Sequence, residues 1–578
     1  MCNTERLPSL DTLPAELLYR LLDLLPCETI LISVANVCRR FRSIAHAYDR
    51  YDIDLRSISQ PNFHTICRSI RPMKVISLTL SDDEKTPGQI GLFLSLFHIK
   101  LFRRLRHLTL INIAAEDLMA ISKQCQLNSL ISFTMDARGQ HIISPLKMIT
   151  RAIALPNLCK LSLTSIGCIF DRISWPTDCL LQNLKIQTCT SQQFLTLLNR
   201  LPHLKTFDIA VYEFRSTAAC SSTIHRSLTS LTMSIDHTHI TSLDSLLLLT
   251  PSLVNLKLII NNCDAEFLSQ CFSWEEFIQN KLTELQKFEF FFTVCHPRQD
   301  SLLDIKRLID PFRQPFWLEH KHWLVCCEQT KSSKYRTYLY TVPMCISRLK
   351  YLKPFRKIFS TVDNLPSNTT CRVSTLVVDL TTRVMSSFFK RDDPNSTTVE
   401  FGQVTDLVLF VRGEQIRESM KFVSTLIDIS QLQHLSISLY SDIKLDDDPT
   451  VYVNTLLKPV RNLRSLAINF CWPCNKYSDN LKSIISMVPR HVHHLQIDVR
   501  SVELMKEVFE QIVDLSSVAF RIRGYQRLQS EDILAWLTKR CPGFTFVNTR
   551  DAVNVWLGKI KPESNEILSP NKRLKIND

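Results

Sequence analysis

The stretch Leu105-Arg106-His107-Leu108-Thr109-Leu110 contains the pattern on which the fold depends. Its apolar residues at positions 105, 108 and 110 are separated by polar ones, and this alternation predicts a short strand with one buried face. The same LxxLxL pattern, with apolar exchanges, recurs at Leu158–Leu163, Leu181–Ile186, Leu204–Ile209, Leu228–Met233, Leu253–Leu258, Leu285–Phe290, Leu432–Ile437, Leu463–Ile468 and Val492–Ile497. Weaker copies begin at Val75, Leu130, Val373, Val404 and Leu515.

The copies are evenly spaced along most of the chain. Apart from one gap of 88 residues, successive copies are 23 to 32 residues apart, counted between their middle apolar residues. Several intervening segments, such as Gln192–Leu201 and Val502–Leu515, have the apolar spacing of a helix. A period in this range predicts stacked repeats of one strand and one connecting segment. The middle apolar residues fall at positions 78, 108, 133, 161, 184, 207, 231, 256, 288, 376, 407, 435, 466, 495 and 518.

These irregular repeats resemble degenerate leucine-rich repeats of the cysteine type. The resemblance implies an α/β fold in which parallel strands line the concave face of a horseshoe-shaped solenoid. We expect a first part of the array over residues 73–295 and a second part over residues 371–548, joined in a single curved solenoid. Residues 51–72 are predicted to be a linker, and residues 549–578 a tail.

The 88-residue gap contains an insertion, which we place at residues 296–370. Two alternating, aromatic-rich runs, Lys321–Cys327 and Tyr335–Tyr340, lie on either side of a polar turn and predict a β-hairpin. Between residues 296 and 360 there are 13 Lys or Arg and 5 Asp or Glu, so this segment contributes +8 of the chain's net charge of +13. The insertion could bind RNA or an acidic partner. We favour a structural hairpin with solvated lysines, because no RNA-binding spacing accompanies the charge.

The N-terminal residues 1–50 predict three short helices. The first follows Leu13-Pro14-Ala15-Glu16-Leu17-Leu18, with Pro14 in its first turn and apolar residues at helical spacing as far as Leu25. A second apolar helix runs from about residue 28 to 35, and a third follows Val37-Cys38-Arg39-Arg40-Phe41. A unit of this size buries little apolar surface by itself. We therefore expect it to need a partner.

This unit resembles the F-box, the module that docks onto the Skp adaptor of cullin-RING ubiquitin ligases. The resemblance covers about 40 of 578 residues and lies in the Leu-Pro-x-Glu-Leu-Leu start, the Val-Cys-Arg-Arg-aromatic end and the helical spacing of the apolar residues 17, 18, 21, 22 and 25. Phe41 stands where the family often has Trp, and the segment from Leu25 to Val37 is one residue longer than the commonest spacing. The adaptor-binding residues that the resemblance implies are Leu10, Leu13, Pro14, Leu17, Leu21, Leu22, Leu25, Val37 and Phe41.

Taken together, the two resemblances imply the substrate-recognition subunit of a cullin-RING ubiquitin ligase. The F-box would bind the Skp adaptor and through it the cullin, and the solenoid would hold a target protein that the sequence does not identify. The outward strand positions carry mixed charges, such as Lys160, Asp208, Lys257 and Glu289, so nucleic acid is not the expected main ligand. Two alternatives remain: a repeat scaffold without a role in ubiquitin transfer, and an RNA-binding protein that uses residues 296–370.

The sequence predicts no enzyme and no cofactor. Its nine glycines form neither a dinucleotide-binding fingerprint nor a P-loop nor a nucleophile elbow, and HExxH is absent. Residues 1–6 contain no apolar stretch of signal-peptide type, and the most apolar window, residues 243–260, is interrupted by polar residues, so we expect no membrane span. Scattered cysteines favour reduced thiols. We therefore expect a cytoplasmic or nuclear protein.

Two short motifs allow further interpretations. The pair in Cys471-Trp472-Pro473-Cys474, with His491, His493 and His494 downstream, could indicate a metal or redox site, but the spacing fits no zinc finger or thioredoxin-like unit. We predict no metal ligands there. The basic run Lys572-Arg573-Leu574-Lys575 fits either a nuclear-import signal or a solvated end.

Overall fold

A computed structural model describes residues 10–124, 128–137, 143–164, 172–176, 179–213, 224–236, 240–270, 273–296, 298, 302–331, 334–361, 372–380, 400–412, 422–440, 453–454, 457–470, 483–499, 501–512, 514–522, 530–541, 543–549 and 552–558. Within these residues the protein has a mixed α/β fold with two large sheets, of 13 and 9 strands. No helix in the described ranges is long and apolar enough to cross a membrane.

The first sheet begins with ten parallel strands, each paired with the next along the chain. These strands are β1 (Tyr51–Asp54), β2 (Val75–Ser81), β3 (His107–Ile111), β4 (Ser132–Asp136), β5 (Lys160–Thr164), β6 (Asn183–Thr190), β7 (Thr206–Glu213), β8 (Ser230–Ile235), β9 (Asn255–Cys263) and β10 (Lys287–His296).

Four strands lie in the segment predicted as an insertion: β11 (Leu324–Lys331), β12 (Tyr335–Val342), β13 (Arg348–Tyr351) and β14 (Pro354–Phe359). Strands β11 and β12 pair antiparallel along their whole length, so the predicted hairpin is present. β12 also pairs with β10, and β11 with β14, which completes the first sheet. β13 instead begins the second sheet, so the whole of residues 296–370 is not a separate insertion.

The second sheet continues from β13 with six parallel strands and ends in an antiparallel pair, in the order β13-β15-β16-β17-β18-β19-β20-β22-β21. Its further strands are β15 (Thr375–Asp379), β16 (Asp406–Arg412), β17 (His434–Tyr440), β18 (Ser465–Phe470), β19 (His494–Val499), β20 (Ser517–Ile522), β21 (Thr545–Asn548) and β22 (Ala552–Trp556).

Helices precede the first strand and connect many of the later ones. The capping box at Thr190 and Gln193, for example, starts the helix after β6, because each side chain accepts a hydrogen bond from the other residue's backbone N–H. The α-helices are α1 (Ala15–Leu22), α2 (Ala35–Val37), α3 (Arg39–Ala47), α4 (Gln60–Ser69), α5 (Gln89–Leu96), α6 (Ala115–Gln124), α7 (Ile143–Ile153), α8 (Ser191–Arg200), α9 (Ile240–Leu247), α10 (Ala265–Gln270), α11 (Trp274–Lys281), α12 (Ile305–Ile309), α13 (Val502–Gln511) and α14 (Ser530–Arg540).

The strands align so that the middle apolar residues of the repeats form continuous rows. Leu108 pairs with Leu78 on one side and with Phe133 on the other, and Leu466 is paired on both sides in the same way. All fifteen predicted middle residues are at most 3 % exposed. The predicted strand register is therefore confirmed.

Both predicted ends of the array are wrong. Residues 51–72 are not a linker: Tyr51 and Ile53 are buried in β1, which pairs with β2, and α4 packs Phe63 into the same core. The alternation of buried and exposed residues in Tyr51–Asp54 covers only four positions, which is too short to match the LxxLxL pattern. Residues 549–578 are likewise not all a tail, since β22 pairs with β20 and Trp556 is fully buried.

The predicted single solenoid is instead divided into two sheets, each with its own apolar core. The hairpin lies between these cores and contributes to both. Cys327 and Leu339 on one face belong to the first core, and Cys326 and Tyr340 on the other face belong to the second. Burial on both faces explains why Leu324–Cys327 forms a continuous apolar run instead of alternating with polar residues.

The chain closes on itself, whereas the predicted horseshoe would leave its ends apart. Trp556 Nε1 donates to the carbonyl of Ile58 at 3.0 Å, and its ring lies edge-on to Phe63 with centroids 5.2 Å apart. Nearby, Thr545 Oγ1 donates to the carbonyl of Pro87 at 2.6 Å. The last strand pair of the second sheet therefore packs against the first repeats.

Candidate functional site

The N-terminal helical unit folds through local features of its sequence. Pro14 precedes α1, where its restricted φ suits a helix start and its missing N–H costs nothing. A π-helical stretch, Thr29–Val34, leads into α2. The extended backbone of Cys38 then separates α2 from α3, and its Sγ accepts a hydrogen bond from the N–H of Phe41 at 3.5 Å.

Arg40, within the Val-Cys-Arg-Arg-aromatic motif, and Arg42, just after it, hold the helices together. Arg40 Nη2 donates to the carbonyl of Leu13 at 2.5 Å, which ties α3 to the start of α1. Arg42 Nε donates to the carbonyl of Ala35 at 3.1 Å, which ties α3 to α2. The bond to Ala35 satisfies a carbonyl in the last turn of α2, and the bond to Leu13 joins α3 to the residue before Pro14, so these basic residues have a structural role within the unit.

The unit is fixed to the first repeats by packing and by polar contacts. Leu18 and Leu22 of α1 belong to the same apolar core as the first sheet. Asn62 of α4 donates to the Glu28 carboxylate at 2.7 Å, and Arg104 forms an ion pair with Asp49 at 2.8 Å. The Arg104 hydrogen bond lowers the pKa of the Asp49 carboxyl. These contacts give the helices a defined orientation relative to the sheet.

The N-terminal unit exposes six large apolar side chains, which we call the leucine face: Leu10, Leu17, Leu21, Leu24, Leu25 and Val37. These are six of the fourteen exposed large hydrophobic residues in the described part of the chain, and they lie within 28 consecutive positions. Such a density on a surface is typical of a site that binds another macromolecule.

The structure places the nine predicted adaptor-binding residues in three environments. Leu10, Pro14, Leu17, Leu21, Leu25 and Val37 are exposed, and Leu13 and Phe41 are half-buried against the core. Leu22 is only 4 % exposed, so the expectation that it contacts the adaptor is wrong: it packs inside the protein. Leu24, which the sequence interpretation missed, is the most exposed of the group; its position just beyond α1 was the available signal.

A cluster of ionisable side chains lies in the hairpin region. Lys357 Nζ lies 3.7 Å from Glu328 and 3.9 Å from Glu400, and Tyr340 and Tyr351 donate to these two carboxylates at 3.2 Å each. Burial raises the pKa of both glutamates, and their charges raise the pKa of Lys357 against the opposing effect of its partial desolvation. Every group is engaged by another, so the cluster joins the hairpin to the second core.

The aromatic residues of the hairpin region divide between core and surface. Trp317, Trp323 and Tyr338 are buried, as the structural interpretation of the segment requires. Tyr335 and the exposed Phe355 lie edge to face at the surface, and Lys331 Nζ lies 5.0 Å above the Tyr335 ring. A small basic and aromatic surface therefore remains at one end of β12.

The histidines near the predicted cysteine motif do not form a cluster. Cys471–Cys474 and Lys572–Lys575 lie outside the described residues. His494 is buried with its Nδ1 2.8 Å from Ser517 Oγ, and burial together with the charge of Lys85 lowers its pKa to about 3, whereas His491 and His493 are exposed. Within the described ranges, no three His, Cys, Asp or Glu side chains come together as a potential metal site.

Comparisons with known proteins add little to this geometry. No protein family and no curated protein matches the chain. Among solved structures, one similar chain is that of the TLR13–ssRNA13 complex, with 11 % identity and a TM-score of 0.21. The match covers 73 % of this chain and 55 % of that one. A score this low carries no conclusion about the fold or the function.

Proposed function

We propose that this protein is the substrate-recognition subunit of a cullin-RING ubiquitin ligase, with an F-box-like N-terminal unit that binds a Skp adaptor. The observation that carries the proposal is the leucine face, an exposed apolar surface on helices that are themselves firmly anchored to the first sheet. A rigid unit with an unpartnered apolar face is suited to hold a second protein in one orientation.

The rest of the chain would serve as the target-binding part. Its strands, aligned at the spacing of degenerate leucine-rich repeats, present a long row of non-core side chains in each sheet. A target bound there would be held near the ubiquitin-conjugating enzyme, which raises the effective concentration of its lysines. The protein itself would do no chemistry.

The test is copurification of the full chain with the Skp adaptor and cullin of its source. Leu17→Asp with Leu21→Asp should weaken adaptor binding by about 100-fold or more, because each leucine loses an apolar contact of about 1.5 to 3 kcal/mol. The matched control is Leu101→Asp with Leu248→Asp, since these leucines are 44 % exposed, close to the 43 % and 41 % of Leu17 and Leu21.

The control should bind the adaptor like the wild type. Undiminished binding by the Leu17 and Leu21 variant, or equal loss in the control, would contradict the assignment of the leucine face. If the wild-type chain does not copurify with the adaptor at all, a repeat scaffold without a ubiquitin role becomes the better description.

A further inference from the structure

A polar cluster lies on the non-core face of the second sheet, on four neighbouring strands. Asn469 of β18 contacts the hydroxyls of Ser436 and Ser438 on β17 at 3.5 and 3.4 Å. Beside it, on the next two strands, are Gln496 of β19 and Arg521 of β20. Asn469 is only 8 % exposed, although its position faces away from the apolar core. We call these five residues the amide cluster.

Gln496 is the centre of this cluster. With its amide oxygen turned toward Arg521, Gln496 accepts from Arg521 Nε and Nη2 at 2.9 and 3.0 Å, and its amide nitrogen donates to Glu84 Oε2 at 3.0 Å. In this orientation the same oxygen lies 3.1 Å from Asn469 Oδ1, to which the amide nitrogen would donate in the reverse orientation. The reverse orientation would set the amide oxygen against a carboxylate and the nitrogen against a guanidinium. Arg521 therefore donates to amide oxygens of Gln496 and Asn469, while Asp498 is its register partner on β19 and Glu84 lies one hydrogen bond away.

Glu84 reaches the amide cluster from the other end of the chain. It lies in the turn after β2, where the Asp83 carboxylate accepts from the N–H groups of Lys85 and Thr86 at 2.9 and 3.2 Å. The turn ends at Gly88, whose φ is +74° and where a Cβ would lie 3.3 Å from Thr545 Cβ. The turn is thus held in place by the closure of the chain.

The two sides of this contact differ in their freedom to move. The residues of the amide cluster are held in place by the second sheet and by contacts with one another, whereas the Glu84 side chain is exposed to solvent. An exposed contact of this kind is weak, so releasing Glu84 costs no more than about fivefold in affinity. Arginine and amide groups in a fixed arrangement are the usual partners of a carboxylate.

We propose that the amide cluster binds a carboxylate of the target protein, and that Glu84 occupies this site when no target is present. This proposal names the chemical group by which the target protein of the proposed ligase would be recognised. It rests on the proposed function only in treating the bound peptide as part of such a target. The carboxylate comes either from an internal Asp or Glu or from a free C-terminus, and both would use Arg521 and Gln496 in the same way.

The experiment is a selection of random 12-residue displayed peptides against the immobilised full chain. One library is displayed with its C-terminus blocked by fusion, and a second with a free C-terminal carboxylate. We expect enrichment of an acidic residue at a fixed position in the first, or a defined terminal sequence in the second. The enriched peptide is then synthesised for affinity measurements, with its carboxylate intact or amidated.

The variants test each side of the contact. Arg521→Gln should weaken the peptide by about 10-fold or more, because a charge-assisted hydrogen bond is lost. Arg521→Lys should recover part of the affinity. Glu84→Gln should strengthen binding by up to about fivefold, because the internal competitor is removed. Arg200→Gln and Glu116→Gln, both exposed, are the matched controls and should leave affinity unchanged.

Several outcomes would overturn the proposal: no enriched peptide with either the wild type or Glu84→Gln, enrichment without a carboxylate, or equal binding by Arg521→Gln and its control. Thermal melting of each variant separates loss of binding from loss of folding. Adaptor copurification is scored on the same preparations and does not involve these residues, so failure of the peptide site is distinguishable from failure of the proposed ligase function.

Discussion

Leucines of the N-terminal helix α1 and leucines of the repeat strands have the same chemistry but opposite environments. Leu108, Leu256 and Leu466 lie in strand rows and are at most 1 % exposed, whereas Leu17 and Leu21 of α1 are more than 40 % exposed. The strand leucines pack against other residues of the chain and maintain the fold. The exposed leucines of α1 remain available to another protein.

The largest effect is expected in the strand rows. Leu466→Ala should lower the free energy of unfolding of the second sheet by about 2 to 5 kcal/mol, because Leu466 lies between Leu435 and Leu495 with no exposed surface. The measurement is denaturant unfolding followed by hydrogen exchange in β17–β19. Leu180→Ala, at an exposed leucine, is the control and should change stability by less than about 0.5 kcal/mol. Similar small losses in both variants would contradict the register.

Two leucines of the same helix make the sharpest test of the comparison. Leu22→Ala should cost about 2 to 3 kcal/mol, because its buried side chain would leave a cavity in the first core. Leu17→Ala should leave stability within about 0.5 kcal/mol and weaken adaptor binding instead. The measurements are the melting temperature and the adaptor affinity of each variant. The comparison fails if Leu17→Ala melts earlier than Leu22→Ala.

A smaller effect is expected where the chain closes. Trp556→Phe should cost about 1 to 2 kcal/mol, because it removes the hydrogen bond to the buried carbonyl of Ile58. Hydrogen exchange in β1 and α4 should then accelerate. Trp536→Phe, at a half-buried tryptophan on α14, is the control and should leave that region unchanged. Unaltered exchange in the Trp556 variant would show that the closure is not maintained by this residue.

The smallest effect concerns the basic surface near the hairpin. RNA binding there should be weak at physiological salt, since it would depend on charge and on the release of counterions. A variant with Lys331, Lys334, Lys350 and Lys353 changed to Gln should lose the low-salt binding and behave like the wild type at physiological salt. Tight, sequence-selective binding by the wild type at physiological salt would instead favour the RNA-binding alternative.

The sequence was most informative where a structural rule repeats. Every predicted middle residue of the strands is buried, because the alternation of apolar and polar residues directly records which face meets the core. The hairpin was recognisable for the same reason. The apolar stripes of α1 were ambiguous: Leu18 and Leu22 lie beside Leu17 and Leu21, and helical spacing alone does not show which stripe faces inward.

Other features depend on contacts that leave no local pattern. The contact between Trp556 and Ile58 joins residues 498 positions apart, so neither neighbourhood indicates it. The amide cluster likewise becomes visible only when β17–β20 and the turn at Glu84 are brought together.

The closure of the chain by Trp556 also implies a delay during biosynthesis, because the surface that Trp556 covers is synthesised long before Trp556 itself. Ile58 and Phe63 leave the ribosome early, but the indole that covers them is synthesised 498 residues after Ile58. At a translation rate of about 5 to 20 residues per second, the apolar surface at Ile58 and Phe63 stays uncovered for ~25 to 100 s. Over that interval the nascent chain offers chaperones a binding site that the finished protein no longer has.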